Sequence, residues 1–159
     1  MTTLVDYVVE LPEDYFEIGI YDLRIQEDLH ALWRAAYVMG ADGVFAVGGK
    51  YRLDKNKRSV TIIPFRRYKD FDYLFECLPN AVRLIGIDSS GERLRDFEHP
   101  KLAMYLLGTE DVRLSKSALN KCHSVVSVER LQNYDLAPVA VGSIIMWDRL
   151  IRGTRKEKE

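Results

Sequence analysis

LAMYLLGTEDVRLSKSALNKC, residues 102–122, decides the fold when it is read with HSVVSVERL (123–131) and NYDLAPVAVGSIIMWDRL (133–150). An apolar run, Leu102–Leu107, stops at Gly108-Thr109-Glu110, and a short polar turn leads to a helix that Ser115 can cap. A second apolar run, Val125–Val128, leads into a long C-terminal helix beginning near Leu136. Pro138 is tolerable there because it falls in the first turn, where its missing N–H is not needed. Two buried strands, each ending in a loop that feeds a helix, are the physical form of a nucleotide-type ligand site in an α/β sheet.

Upstream the same alternation repeats. Residues 1–14 are an acidic N-terminal extension, and FEIGIY (16–21) reads as the first buried strand. From Asp28 the spacing becomes helical: Leu29, Leu32, Trp33, Ala36 and Met39 share one face, and Gly40 marks the stop. Val44–Val47 is a second strand, and a short one is expected at Val60–Ile63 before Pro64. A helix over Asp70–Leu78 follows, then a strand at Val82–Ile87 and a turn at Asp88-Ser89-Ser90-Gly91. Arg93–Phe97 is ambiguous, and residues 153–159 form a frayed tail. The predicted class is α/β: a single domain with a mostly parallel sheet and helices on both faces.

Composition narrows the functional classes. At 159 residues, 47% hydrophobic and 30% charged, the chain is expected to be one globular domain. No apolar run approaches the ~18–20 residues of a membrane span. The start, MTTLVD, has neither the basic nor the apolar region of a secretory leader, so a cytoplasmic location is expected. Cys77 and Cys122 fit no metal spacing and are expected to be reduced thiols. Neither a phosphate-loop nor a dinucleotide glycine pattern is present.

The net charge of −1 conceals a segregation. Residues 50–69 hold eight basic side chains against Asp54 alone, a net of +7, which leaves −8 for the remainder. Tyr51, Phe65 and Tyr68 lie within this basic stretch. Cations for phosphates interleaved with rings that stack on bases suit looped or single-stranded RNA. A solvated loop with no partner is the plainer alternative. The candidate RNA-binding residues are Lys50, Arg52, Lys55, Arg66 and Arg67.

Three blocks across Ile18–Leu150 resemble the SpoU (TrmH-like) branch of the SPOUT RNA methyltransferases. DLHALWRAAYVMGADGVFAVG (28–48) is similar to the family's first motif, in which an Asn, a Gly and an Arg open a helix. Arg34 falls on the family Arg, Asp28 on the Asn and His30 on the Gly. LGTEDVRL (107–114) resembles Gly-x-Glu-x-x-Gly-Leu, with Arg113 in place of the second Gly. NYDLAPVAVGSIIMWDRL resembles the Ser-Leu-Asn helix start, with Asp135 and Ala137 at the Ser and Asn positions.

The resemblance implies a C-terminal deep trefoil knot, a homodimer, and S-adenosylmethionine as cofactor. It implies transfer of a methyl group to a ribose 2′-hydroxyl of tRNA or rRNA. Arg34 would be catalytic, contacting phosphate and assisting the hydroxyl. Glu110 would orient the site, although as a residue it reads equally well as a helix-start charge. The cofactor would lie on Gly86, Ile87, Asp88, Leu107, Gly108, Thr109, Ser127, Val128, Leu131 and Leu136, largely through backbone groups. No metal is implied. The altered motif positions leave a second expectation: a homologue that binds RNA, the cofactor or a protein without methylating.

Overall fold

The computed structural model describes residues 12–54 and 62–158, with 154–158 as backbone only. Six strands form one sheet in the order β3-β2-β1-β5-β4-β6. They are β1 (Tyr15–Tyr21), β2 (Gly43–Val47), β3 (Phe65–Tyr68), β4 (Arg83–Arg93), β5 (Leu102–Leu107) and β6 (Ser124–Ser127). Every neighbouring pair is parallel. The helices are α1 (Gln26–Val38), α2 (Phe71–Cys77), α3 (Lys116–Lys121) and α4 (Pro138–Lys158).

Alternate residues of each strand point to opposite faces, and each face has its own core. Ile18, Ile20, Val44, Ala46, Ile85, Tyr105 and Leu107 pack with Leu32 and Trp33 of α1 and with Ile145 and Met146 of α4. Phe45, Val47, Leu84, Met104 and Leu106 pack with Phe71 and Leu74 of α2 and Ala118 of α3. The expected layering, helices on both faces of a parallel sheet, is what the molecule has. α4 lies especially close. A Cβ on its Gly142 would stand 2.7 Å from Leu32 Cδ1 and 3.1 Å from Leu107 Cδ1, so no larger residue fits without displacing the core.

Local signals set several helix ends. Asp70 accepts from Tyr73 N and caps α2, and Ser115 accepts from Ala118 N and caps α3. Gly40, at φ +85°, follows α1 where an L side chain would be strained.

Three expectations are corrected. The described strand of this segment is β3, after Pro64 rather than before it; Ile62 and Ile63 are bends, and Val60 and Thr61 lie outside the described residues. Pro64 supplies only its carbonyl, which accepts from Val44 N, and pairing begins at Phe65. The sequence FRRY conceals an edge strand because its arginines break the apolar pattern. The turn at 88–91 is a bulge inside β4: both Ile87 and Glu92 lie opposite Val126 of β6. Asp88 stabilises it locally, its carboxylate accepting from Ser90 N at 3.1 Å and Ser90 Oγ at 2.6 Å. The tail from 153 continues α4 as helix to Lys158.

Candidate active site

A cleft opens at the carboxyl end of the sheet, where the segments after β5 and β6 meet the bulge of β4 and the start of α4. Ile87, Leu107, Leu114, Val128, Leu136 and Val141 give it apolar walls. Asp88, Ser89, Thr109, Arg113, Arg130 and Asp135 supply its polar part, and Gly108 belongs to its floor. Seven of the ten residues expected to hold a cofactor line it: Ile87, Asp88, Leu107, Gly108, Thr109, Val128 and Leu136.

The other three do not. Gly86 points to the opposite face because it precedes Ile87 in the pleat, and a Cβ there would meet Cys122 Sγ at 3.0 Å. Ser127 directs its hydroxyl to the carbonyl of Glu92 at 3.5 Å. Leu131 is fully exposed. Sequence reasoning did not single out Arg130, Val141, Leu114 or Ser89. They enter the cleft through the folding of separate loops and carry no motif of their own.

The loop after β5 is tightly built. Thr109 N donates to Val112 O at 2.8 Å, and Thr109 Oγ1 accepts from Val112 N at 3.0 Å. A Cβ on Gly108 would lie 2.7 Å from Val112 O, so only glycine lets the loop close this far while leaving backbone accessible to a ligand. Across the cleft, the Arg113 guanidinium binds the buried Asp88 carboxylate through Nε at 3.1 Å and Nη2 at 2.9 Å. Burial alone would raise the Asp88 carboxyl, but the hydrogen bonds from Arg113 and Ser90 outweigh it and hold the group below the usual carboxylate range. Arg130 binds Asp135 at 2.7 Å on the far side.

Arg34 is exposed on α1 and does not line this cleft. It makes no hydrogen bond or ion pair with another described residue. Glu110 is exposed beside Asp28, so the first and second motifs do meet in space. Burial raises the Asp28 carboxyl, and the nearby charges of Glu110, Glu27 and Asp111 raise it further. His30 is buried with its ring nearly parallel to that of Trp33 at 6.5 Å, a packing role that the family glycine does not have.

Among the described residues the basic side chains do not form one patch. Alternation along β3 sends Arg66 to the α2 side, beside Glu17 and Tyr68, while Arg67 lies over the Tyr51 ring at 4.8 Å on the α1 side. Glu17 is only 3% exposed, and its carboxyl is raised by burial. Lys50 and Arg52 are exposed in the segment after β2, at the same end of the sheet as the cleft. Lys69 lies over Tyr73 at 5.8 Å, a cation–ring pair the basic stretch did not single out. Phe65 packs on Trp33 and Tyr68 on Phe45, so neither ring is free for a base. Lys55 lies outside the described residues.

Among the described residues no group of three or more His, Cys, Asp or Glu side chains could hold a metal ion. No helix there is long and apolar enough to cross a membrane.

The chain is an open parallel α/β domain with an apolar-walled, charge-rimmed cleft at the carboxyl end of its sheet, the end at which sheets of this class take their ligands. Residues 16–147 match the SpoU rRNA Methylase family, and the chain belongs to it. The fold is similar to that of the SpoU methyltransferase AviRb from Streptomyces viridochromogenes, solved in complex with AdoMet: TM-score 0.82 and 18% identity, over 91% of this chain and 60% of that one. The chain thus spans less than two thirds of the AviRb length. A structure bearing on 2-OH methylation of C/U34 on tRNA aligns at TM-score 0.80 and 14% identity, over 97% of this chain and 99% of that one. A putative TrmH-family RNA methyltransferase from Porphyromonas gingivalis aligns at 0.76 and 14%, over 89% and 61%. At these identities the likeness is one of fold. No curated protein matches the chain in sequence.

Proposed function

We propose that the protein is an RNA methyltransferase that binds S-adenosylmethionine in the cleft and methylates a ribose 2′-hydroxyl of tRNA or rRNA. The observation that carries this reading is the convergence of three separate loops of a SpoU family member on one apolar-walled, charge-rimmed cleft. The side chains fit such a ligand: Leu107, Val128, Leu136 and Val141 can enclose a purine, and Gly108 leaves backbone open to it. When bound, the cofactor supplies an electrophilic methyl group. The C-terminal trefoil knot that the family implies would hold the three loops against one another.

The chain's own part is positioning, which accounts for much of the acceleration in reactions of this kind. Arg34 would bind phosphate through its forked guanidinium and ease loss of the hydroxyl proton. Glu110 would orient the site beside Asp28. Arg34 does not line the cleft of its own chain, and a site completed by a second subunit would resolve this. α4 presents Ile144, Trp147 and Leu150 at 39%, 56% and 51% exposure, three and six residues apart on one side. A homodimer would cover that stripe. Light scattering should give twice the 18.4 kDa of one chain; a monomer at micromolar concentration would contradict it.

The deciding experiment is calorimetry with S-adenosylmethionine, followed by transfer of labelled methyl to bulk tRNA and rRNA. Binding with transfer supports the enzyme. Ala137, an apolar side chain where the family carries Asn, favours a second reading: a non-methylating module that binds RNA, cofactor or protein. Binding without transfer would put that reading first.

A further inference from the structure

Arg113 occupies a position where the resembled family has glycine, and it is set in a built environment. The Asp88 side chain beneath it is 3% exposed, whereas Arg113 itself is 59% exposed. Nε and Nη2 are held by the two Asp88 oxygens, and Nη2 also donates to Ser89 Oγ at 2.9 Å. A guanidinium is planar, so three contacts along one edge fix the orientation of the whole group. Its remaining terminal nitrogen, Nη1, donates to no described residue.

The clasp has little to recommend it as a stabilising device alone. An ion pair with one exposed member contributes modestly, and burying Asp88 works against it. As an oriented donor at a ligand cleft, the same arrangement has an evident use. Arg130, the other cleft guanidinium, already has Nη1 on Asp135. Arg113 is therefore the lining guanidinium that a buried carboxylate has fixed in place, with an outer edge that meets no described partner.

We infer that this outer edge of Arg113 is the subsite for the carboxylate at the amino-acid end of the cofactor, with Asp88 as the residue that positions it. The apolar walls take the base, and the carboxylate of the zwitterionic end then finds its cation in Arg113. The inference rests on the cofactor reading above. An RNA phosphate offers the same oxyanion chemistry, so the test must separate the two.

Calorimetry with two probes does so. S-adenosylhomocysteine carries the amino-acid carboxylate; methylthioadenosine shares the nucleoside and thioether but lacks it. The wild type should prefer S-adenosylhomocysteine. Arg113→Ala should lose about tenfold in affinity for it, the scale of one charge-assisted hydrogen bond, and nothing for methylthioadenosine. Arg113→Lys should keep part of the preference, and Asp88→Asn should lose several-fold on S-adenosylhomocysteine alone. Equal losses on both probes, or none on either, would overturn the subsite and leave Arg113 a loop clasp. Unchanged S-adenosylhomocysteine affinity with weakened RNA binding would overturn it in favour of a phosphate contact. A wild type that binds neither probe would remove the cofactor reading itself, and the subsite with it.

Discussion

At the carboxyl end of the sheet a buried carboxylate, Asp88, holds an exposed guanidinium, Arg113; at the amino end an exposed carboxylate, Asp14, meets a buried guanidinium, Arg149. The side chains are the same types and the burial is inverted. Arg149 donates to the carbonyls of Pro100 and Lys101, to Tyr105 OH and to Asp14, and its Cζ sits 4.8 Å from the centre of the Phe16 ring. Because Tyr105 OH accepts from Arg149, its own proton can go to His99 Nδ1 at 2.7 Å. His99 Nε2 then donates to Asp148 at 2.7 Å, which also pairs with Arg152. Arg152 in turn donates to the carbonyls of Leu94 and Phe97. A guanidinium whose N–H groups end on backbone carbonyls fastens α4 to the chain before β5. One with a free edge at a cleft is available to a ligand. Burial of the cation, not the presence of the pair, separates a fastening from an open donor here.

The comparison breaks most visibly at Arg149. Arg149→Ala takes the side-chain donor from the Pro100 carbonyl and from the Tyr105 hydroxyl oxygen, while Lys101 O keeps Tyr15 N and the Tyr105 proton keeps His99. At roughly 1–3 kcal/mol for a buried group that loses its partner, a loss of about 2 kcal/mol in urea unfolding is expected. Cofactor affinity of the folded fraction should not change. A loss below about 1 kcal/mol would mean that the amino-end network is not structural.

The converse holds for Arg34, exposed and without a partner among the described residues. Arg34→Ala should leave stability and cofactor binding as they are and slow methyl transfer by roughly ten- to a hundred-fold, the scale of one hydrogen bond to a charged group. Arg34→Lys should also fail, since an ammonium cannot make the forked contact. Wild-type turnover by either variant would remove Arg34 from the mechanism.

Smaller again is the effect on RNA. The pleat of β3 divides its two arginines, so Arg52→Ala with Arg67→Ala should weaken RNA binding and lower the slope of log affinity against log salt by about one for each phosphate no longer neutralised. Arg66→Ala should do neither, because Arg66 serves Glu17 and Tyr68. Filter binding in which the Arg66 variant behaves like the other two would restore a single basic patch.

The subtlest difference is one of pH. Burial holds the His99 imidazole below its ordinary range against the pull of Asp148; Arg149 and Arg152 lower it further. A histidine harder to protonate when folded takes up a proton on unfolding. Stability should therefore be level well above about pH 6.5, fall as the pH drops through that value, and level off below the folded-state pKa. In His99→Gln this increment should vanish. Urea midpoints that shift with pH identically in both proteins would show that His99 does not titrate with unfolding.

Much of the frame was legible in the chain because its signals are local. Leu102–Leu107 reads as a strand from six consecutive apolar residues, and β5 has those bounds. Asp70 and Ser115 each cap a helix through an N–H three positions on. In the cleft, Leu107-Gly108-Thr109 follows from a strand that ends in a loop, whereas Ile87-Asp88 was implied only by the family resemblance, since β4 continues past it. β3 was illegible because an edge strand needs no apolar run, and the bulge of β4 because Asp88-Ser89-Ser90-Gly91 has turn chemistry in either setting.

The amino-acid sequence by itself determined most of the strands and helices, the caps of α2 and α3 and the strand-end loop at Leu107-Gly108-Thr109. These depend on hydrogen bonds and side-chain periods that span a few residues. Tertiary structure alone decided which of those residues act together. Arg113 reaches Asp88 across 25 positions, and Arg149 reaches Tyr105 across 44. It also decided that Arg66 and Arg67, adjacent in the chain, work on opposite faces of the sheet. Such partnerships depend on strand order and on the pleat, which bring distant residues together and turn neighbours away from one another.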